Sequence, residues 1–251
     1  MSAWYLIFLR FFKHRFVSRP KDTSVEDIQH ESEPFLLSDG SRNISRGSLG
    51  PTSITEASLP RQVIETPEYD LHFSEKSLIV TVSQIKELCQ HLPKAVMVSQ
   101  WTLRYSLRRD GTSLDTLLEL SALTDRAGRP VHSSYIILIE DSWGYIFGGY
   151  VAHAIENRPR YYGNGDSFVF SMVPKMQCYR WTGVNDMFIV SNSQYIAMGG
   201  GGDGFAWQLD GELDTGVSAK SDTYGNECLS SSEFFKCLNV EIWDIGSGVA
   251  A

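Results

Sequence analysis

Four consecutive glycines, Gly199 to Gly202, stand between two apolar runs, Tyr195-Ile-Ala-Met198 and Phe205-Ala-Trp-Gln-Leu209. Such a run costs backbone entropy, and a chain keeps it only where side chains would be in the way. It therefore marks a tight turn or a close backbone approach inside a β structure. Gly199, Gly201 and Gly204 also have the G-x-G-x-x-G spacing. A dinucleotide site needs a helix to begin there, because the helix N-terminus holds the pyrophosphate. Phe205, Trp207 and Leu209 alternate with period two instead, which is a strand. The nucleotide reading is set aside on that ground.

The same punctuation runs through the second half of the chain. Strands are expected at Tyr135–Ile139, Tyr145–Tyr150, Ser167–Met172, Gln177–Trp181, Phe188–Val190, Tyr195–Met198, Phe205–Leu209 and Leu238–Trp243. Glycine-bearing turns separate them: Trp143-Gly144, Gly163-Asn-Gly165, Gly183-Val-Asn185 and Asp210-Gly211. Before them Trp101, Leu103 and Tyr105 alternate as a half-buried strand. Two helices precede this β region. One lies within Ile79–Leu92, with Ile85, Leu88 and Leu92 on one face, and Pro93 ends it. The other is opened by Thr112-Ser-Leu-Asp115, read as a capping box, and carries Leu114, Leu117, Leu118 and Leu120 as a core stripe. The fold class is α+β, mainly β: a sandwich of two antiparallel sheets flanked by helices.

Charge divides the rest. Residues 1–21 carry five basic groups and no acids around the apolar run Trp4–Leu9 and Phe11-Phe12. That run is shorter than the roughly 20 apolar residues a membrane span needs. It suits peripheral membrane contact by a surface helix, mitochondrial targeting, or a plain extension. Residues 22–74 read as a disordered linker: through residue 69 they hold eight serines and four prolines with no apolar period. The folded domain is placed at 75–246 and a tail at 247–251. The domain is acidic, with nine acids against Lys220 and Lys236 in residues 203–251. A phosphate backbone would be repelled, so no nucleic-acid partner is expected. A basic protein surface suits such a domain better.

Catalytic signatures are missing from the sequence: no G-x-S-x-G elbow, no P-loop lysine, no H-E-x-x-H. Glu140 and Asp141, being adjacent on a strand, point to opposite faces and cannot act as a pair. Asp166 reads either as a functional carboxylate or as a turn residue bonding its own backbone. His132 and His153 read as ordinary polar residues. Cys89, Cys178, Cys228 and Cys237 form no C-x-x-C pair and read as reduced thiols of a cytoplasmic protein. Among them Cys89 has helpful neighbours in Lys86 and His91, Cys228 has an acidic setting, and Cys178 and Cys237 are expected to be buried.

The ordered set Trp101-x-x-x-Tyr-Ser106, Gly111-x-Ser-Leu114, Phe147-Gly148, Tyr162-Gly-x-Gly-Asp-Ser-Phe-Val-Phe170, Trp181-Thr-Gly-x-Asn185, Gly199–Gly202, Leu209-Asp210 and Glu241-Ile-Trp243 resembles a TLDc domain. This is the domain of the oxidation-resistance proteins, and the stretch Ser221–Leu229 is most similar to plant members. The resemblance implies two antiparallel sheets with flanking helices and a role in resistance to oxidative stress. Several members bind the vacuolar-type proton ATPase and promote separation of its soluble sector from the membrane sector. It implies a non-catalytic interaction domain, a monomer without cofactor or metal, whose partner would be a protein such as a V-type ATPase subunit. A thiol-dependent antioxidant enzyme and a membrane-docked adaptor are the alternatives. Candidate partner-binding residues are Gly163, Gly165, Asp166, Trp181, Gly183, Asn185, Gly199, Gly200, Gly201, Gly202 and Glu241. Two departures stand out: Asp166 replaces the glutamate of many members, and Ser221 replaces a cysteine of many animal members.

Overall fold

A computed structural model describes residues 71–94, 100–122 and 133–246. The expectations for residues 1–21, for the linker up to residue 70, for His132 and for the tail lie outside these residues. No helix among the described residues is long and apolar enough to cross a membrane.

In chain order the elements are β1 (His72–Phe73), α1 (Val82–Cys89), β2 (Gln100–Ser106), α2 (Leu107–Asp110), α3 (Leu114–Ser121), β3 (Tyr135–Asp141) and β4 (Ile146–Val151). There follow β5 (Arg158–Tyr162), β6 (Phe168–Val173), β7 (Gln177–Arg180), β8 (Ile189–Ser191) and β9 (Tyr195–Met198). The last are β10 (Trp207–Asp210), β11 (Thr215–Val217) and β12 (Phe234–Asp244). Every expected strand is present. β1, β5 and β11 come in addition.

Two antiparallel layers share the long strand β12. One runs β5-β8-β9-β10-β11-β12, and the other β12-β3-β4-β6-β7, with β2 also on β12 and β1 parallel to β2. Phe234–Lys236 pair with β11, and the stretch from Cys237 to Asp244 pairs with β3. The register shifts between Cys237 and Asn239. Across that bulge the residues facing the inter-sheet core change from odd (Phe235, Cys237) to even (Val240, Ile242). One extra residue thus lets a single strand serve both layers.

The inter-sheet core joins Ile137, Ile139, Phe147 and Val169 of one layer to Ile189, Ile196, Trp207 and Leu209 of the other. Gly149 marks their close approach, because a Cβ there would lie 2.3 Å from Met198 Sδ. A second core covers the opposite face of the β3 layer. Trp101, Phe168, Phe170 and Trp243 pack there with Ile85, Leu88, Cys89 and Leu92 from and just beyond α1. With both faces covered, β3 is a continuous apolar run, Tyr135-Ile-Ile-Leu-Ile139, rather than an alternating one.

Helices α1 and α3 start where hydroxyl groups cap them. Thr81 and Gln84 form a reciprocal box at α1. At α3 the cap is Ser113, which accepts from Thr116 N, so the expected box from Thr112 to Asp115 is displaced by one residue. Such a cap is worth about 1 kcal/mol. Leu114, Leu117, Leu118 and Ser121 are the buried stripe of α3, and Leu120 is 42% exposed. The i, i+3, i+4, i+7 rows of a helix share one face, and Leu120 falls beside that face, contrary to expectation.

Candidate functional site

The glycine run is the centre of one corner of the structure. After Met198 the chain must turn back toward β10 while a third segment, Ser221–Thr223, crosses beneath it. Asp222 N and Thr223 N both donate to Gly200 O, at 3.1 and 3.2 Å. Gly200 N donates to Thr223 Oγ1 at 2.9 Å. Thr223 Oγ1 in turn lies 2.7 Å from Asn185 Oδ1, and Asn185 Nδ2 donates to Gly200 O at 3.3 Å. Side chains have no room in this junction. A Cβ on Gly200 would lie 2.6 Å from Met187 Sδ, and one on Gly201 would lie 2.7 Å from Asp222 Oδ2. Gly199, Gly201 and Gly202 also hold left-handed φ values of 77°, 75° and 62°. The run is therefore a backbone-to-backbone junction, and β10 rather than a helix follows it.

Trp181 joins a second loop to this junction. Its Nε1 donates to Asn185 O at 2.7 Å, closing the loop 181–185 on itself. Its ring lies over Gly165, where a Cβ would be 2.3 Å from Cε3, and meets Phe188 edge-on at 5.5 Å. Thr182 then ties this loop to the crossing segment: its hydroxyl donates to Asp222 O at 2.6 Å, and its N–H to Thr223 O at 2.9 Å. Gly163 sits against Phe188 and Ile189. Gly183, at φ 81°, turns in open space with nothing within 4 Å of a Cβ. Ten of the eleven candidate residues thus fall on loops that meet here. Thr182, Asp222 and Thr223, which lock the loops together, were not among them. Thr223 carries no sequence signal of its own until its partner Gly200 is known.

Two candidates need correction in detail. Asp166 is exposed, and the turn is made by Asn164, whose Oδ1 accepts from Asp166 N at 3.0 Å. The carboxylate is left to face solvent. Glu241 lies apart from the corner and is fully buried. It accepts from Ser77 Oγ and Leu78 N, both at 2.7 Å, and from Trp243 Nε1 at 2.9 Å. An enclosed carboxylate with three donors ties the segment before α1 to β12 and presents nothing to a partner.

The other chemically capable groups are also accounted for by packing. Asp141 is buried and accepts from the N–H groups of Trp143, Tyr145 and Ser231, so it is the post of the β3–β4 turn. Glu140 is partly exposed, and burial holds it above its usual range. His153 lies beside Glu156, with its Nδ1 2.9 Å from Ala154 O. Cys89 faces the core between Leu88 and Leu92 instead of its expected polar neighbours, and burial pushes its thiol up to about 12. Cys178 and Cys237 are likewise pushed up to about 12 by burial, although Cys178 is only half-buried. Cys228 is exposed, with Sγ 3.5 Å from Ser230 O. Ser221, at the cysteine position of many animal members, is buried and donates to Asn226 Oδ1 at 2.7 Å. A groove of about 710 Å3 beside α1 is lined by Phe73, Ser77, Leu78 and Val82, among others, and by none of the candidate residues.

The fold and site together define a two-sheet β sandwich whose connecting loops lock into a preformed surface corner. The chain belongs to the TLDc domain family, whose model matches residues 73–246. It is 36% identical over 180 residues to oxidation resistance protein 1 of Homo sapiens, covering 72% of this chain and 20% of that protein. It is 34% identical over 167 residues to nuclear receptor coactivator 7 of Mus musculus, covering 66% of this chain and 17% of that protein. The chain therefore spans about a fifth of the length of the curated relatives it matches.

Proposed function

We propose that this chain is a non-catalytic interaction module in the response to oxidative stress. Its TLDc domain binds the vacuolar-type proton ATPase and favours separation of the soluble sector from the membrane sector. The observation that carries this reading is the corner itself. Three segments distant in sequence are locked by hydrogen bonds around Gly200, a fourth packs at Gly165 against the Trp181 ring, and together they hold Trp181 partly in solvent. A rigid, partly exposed tryptophan is a common anchor of protein recognition, because little entropy is lost when a partner covers it. The relatives' names, oxidation resistance protein and coactivator, support a protein-directed role in stress tolerance. Burial of Cys89 and Cys237 leaves the antioxidant-enzyme alternative only the half-buried Cys178 and the exposed Cys228, since a scavenging cysteine needs an accessible thiolate.

Incubating purified V-type pump with excess full chain and measuring release of the soluble sector tests the reading. Release that follows the concentration of the chain is expected. A pump that stays assembled and fully active in excess protein overturns it.

A further inference from the structure

We infer that the Trp181 corner docks a basic segment of a partner protein, one that sets an apolar side chain among lysines or arginines. This rests on the functional reading above and gives the chemistry of the partner at the same surface.

Trp181 and Val184 keep 41% and 69% of their surface in solvent. The exposure is built, because Trp181 Nε1 is bonded to Asn185 O and the ring is wedged on Gly165. Val184 N is tied to Thr182 Oγ1 at 3.3 Å. The loops that meet here each bring an exposed carboxylate: Asp166 follows Gly165, Asp186 follows Asn185, Asp203 follows the glycine run, and Asp222 lies in the crossing segment. A cation at this margin, Lys220, already faces Glu227 at 3.9 Å. The surface is an apolar knuckle among loops that carry four exposed carboxylates.

That pattern selects among occupants. A second copy of the chain would bring the same acids to the contact. Anionic lipid headgroups and nucleic-acid phosphates would be repelled over the range of a Debye length, about 8 Å at physiological salt. A basic segment gains from both parts of the surface. Its apolar side chain covers Trp181 and Val184, while its cations meet these carboxylates and speed encounter.

The test titrates the full chain with two probes, each at low and high salt: the purified soluble sector of the V-type pump, and a labelled peptide of alternating lysine and leucine. Both should bind, and both should weaken as salt rises. The double variant Asp186→Lys/Asp203→Lys should weaken both about tenfold or more. Glu119→Lys, on the exposed side of α3, should change neither. A peptide with glutamate in place of lysine should bind the double variant better than the wild type, a gain that misfolding would not produce. Binding that ignores both salt and the double variant overturns the inference and leaves the pump reading standing if the sector still binds. Retention on anionic vesicles through Trp181, or dimerisation through it, also overturns the inference. A peptide that behaves as expected beside a pump sector that never binds upholds the inference and overturns the choice of pump.

Discussion

Replacing Gly199 by alanine should destabilise the domain far more than replacing Gly183, although the two glycines have nearly the same φ. Gly199 has φ 77° and Gly183 has φ 81°. An L-residue in that left-handed region costs about 1–2 kcal/mol. Removing a glycine from the unfolded chain returns about 0.4–1 kcal/mol. On backbone terms alone each substitution costs roughly 1 kcal/mol. The positions differ in what the new methyl group meets. At Gly183 nothing lies within 4 Å. At Gly199 the Cβ would lie 2.8 Å from Ser221 Oγ, 3.0 Å from Ala206 Cβ and 3.1 Å from Ala206 N. Ser221 is held by Asn226, and Ala206 is fixed beside β10, so neither can step aside cheaply. Overpacking of this kind adds about 1–3 kcal/mol, bringing Gly199→Ala to roughly 3 kcal/mol. In a domain of this size each kcal/mol lowers the unfolding midpoint by roughly 2–4 °C. Thermal unfolding followed by circular dichroism should show a drop of about 6–12 °C for Gly199→Ala and about 2–4 °C for Gly183→Ala. Equal drops would refute the reasoning, because the crowding drawn from the junction would then carry no cost.

Glu241→Ala should lower the urea midpoint strongly by stranding Ser77 Oγ, Leu78 N and the Trp243 indole N–H, at about 1–3 kcal/mol for a buried donor left unpaired. Glu241→Gln, which keeps an acceptor, should recover much of that loss. A maleimide reagent at neutral pH should label Cys228 rapidly in the native protein and reach Cys89 and Cys237 only on unfolding, as read by mass spectrometry of peptides. The buried thiols also fix a pH trend. Their folded values, raised from about 9 to about 12, make their contribution complete below pH 9 and lost as pH rises toward 12. Stability by denaturant titration should therefore fall across that window, and replacing Cys89 and Cys237 by serine should flatten the fall.

The strands with clean alternation or a continuous apolar run were legible in the sequence because burial writes that pattern directly. β5 was not. It reads Arg-Pro-Arg-Tyr-Tyr, since an edge strand tolerates proline and faces water on much of its length. β11 is three residues long and β1 two, too short for any period to show. The capping hydroxyl of α3 was displaced by one because Thr112 and Ser113 are chemically alike and only backbone geometry chooses between them. Cys89 shows the limit of reading neighbours in sequence: Lys86 and His91 are close along the chain, but the thiol points with Leu88 into the core. At the corner the glycines announced a close approach without saying of what to what. Thr223 lies 23 residues from Gly200, and only the folded layers bring them together.

The most direct test is hydroxyl-radical footprinting of the full chain, alone and with the soluble sector of the V-type pump. Protection concentrated at Trp181 and Val184 is the predicted result. Protection confined to other exposed apolar groups, such as Trp143, Phe234 and Leu238, with the Trp181 corner still fully reactive, would contradict the account.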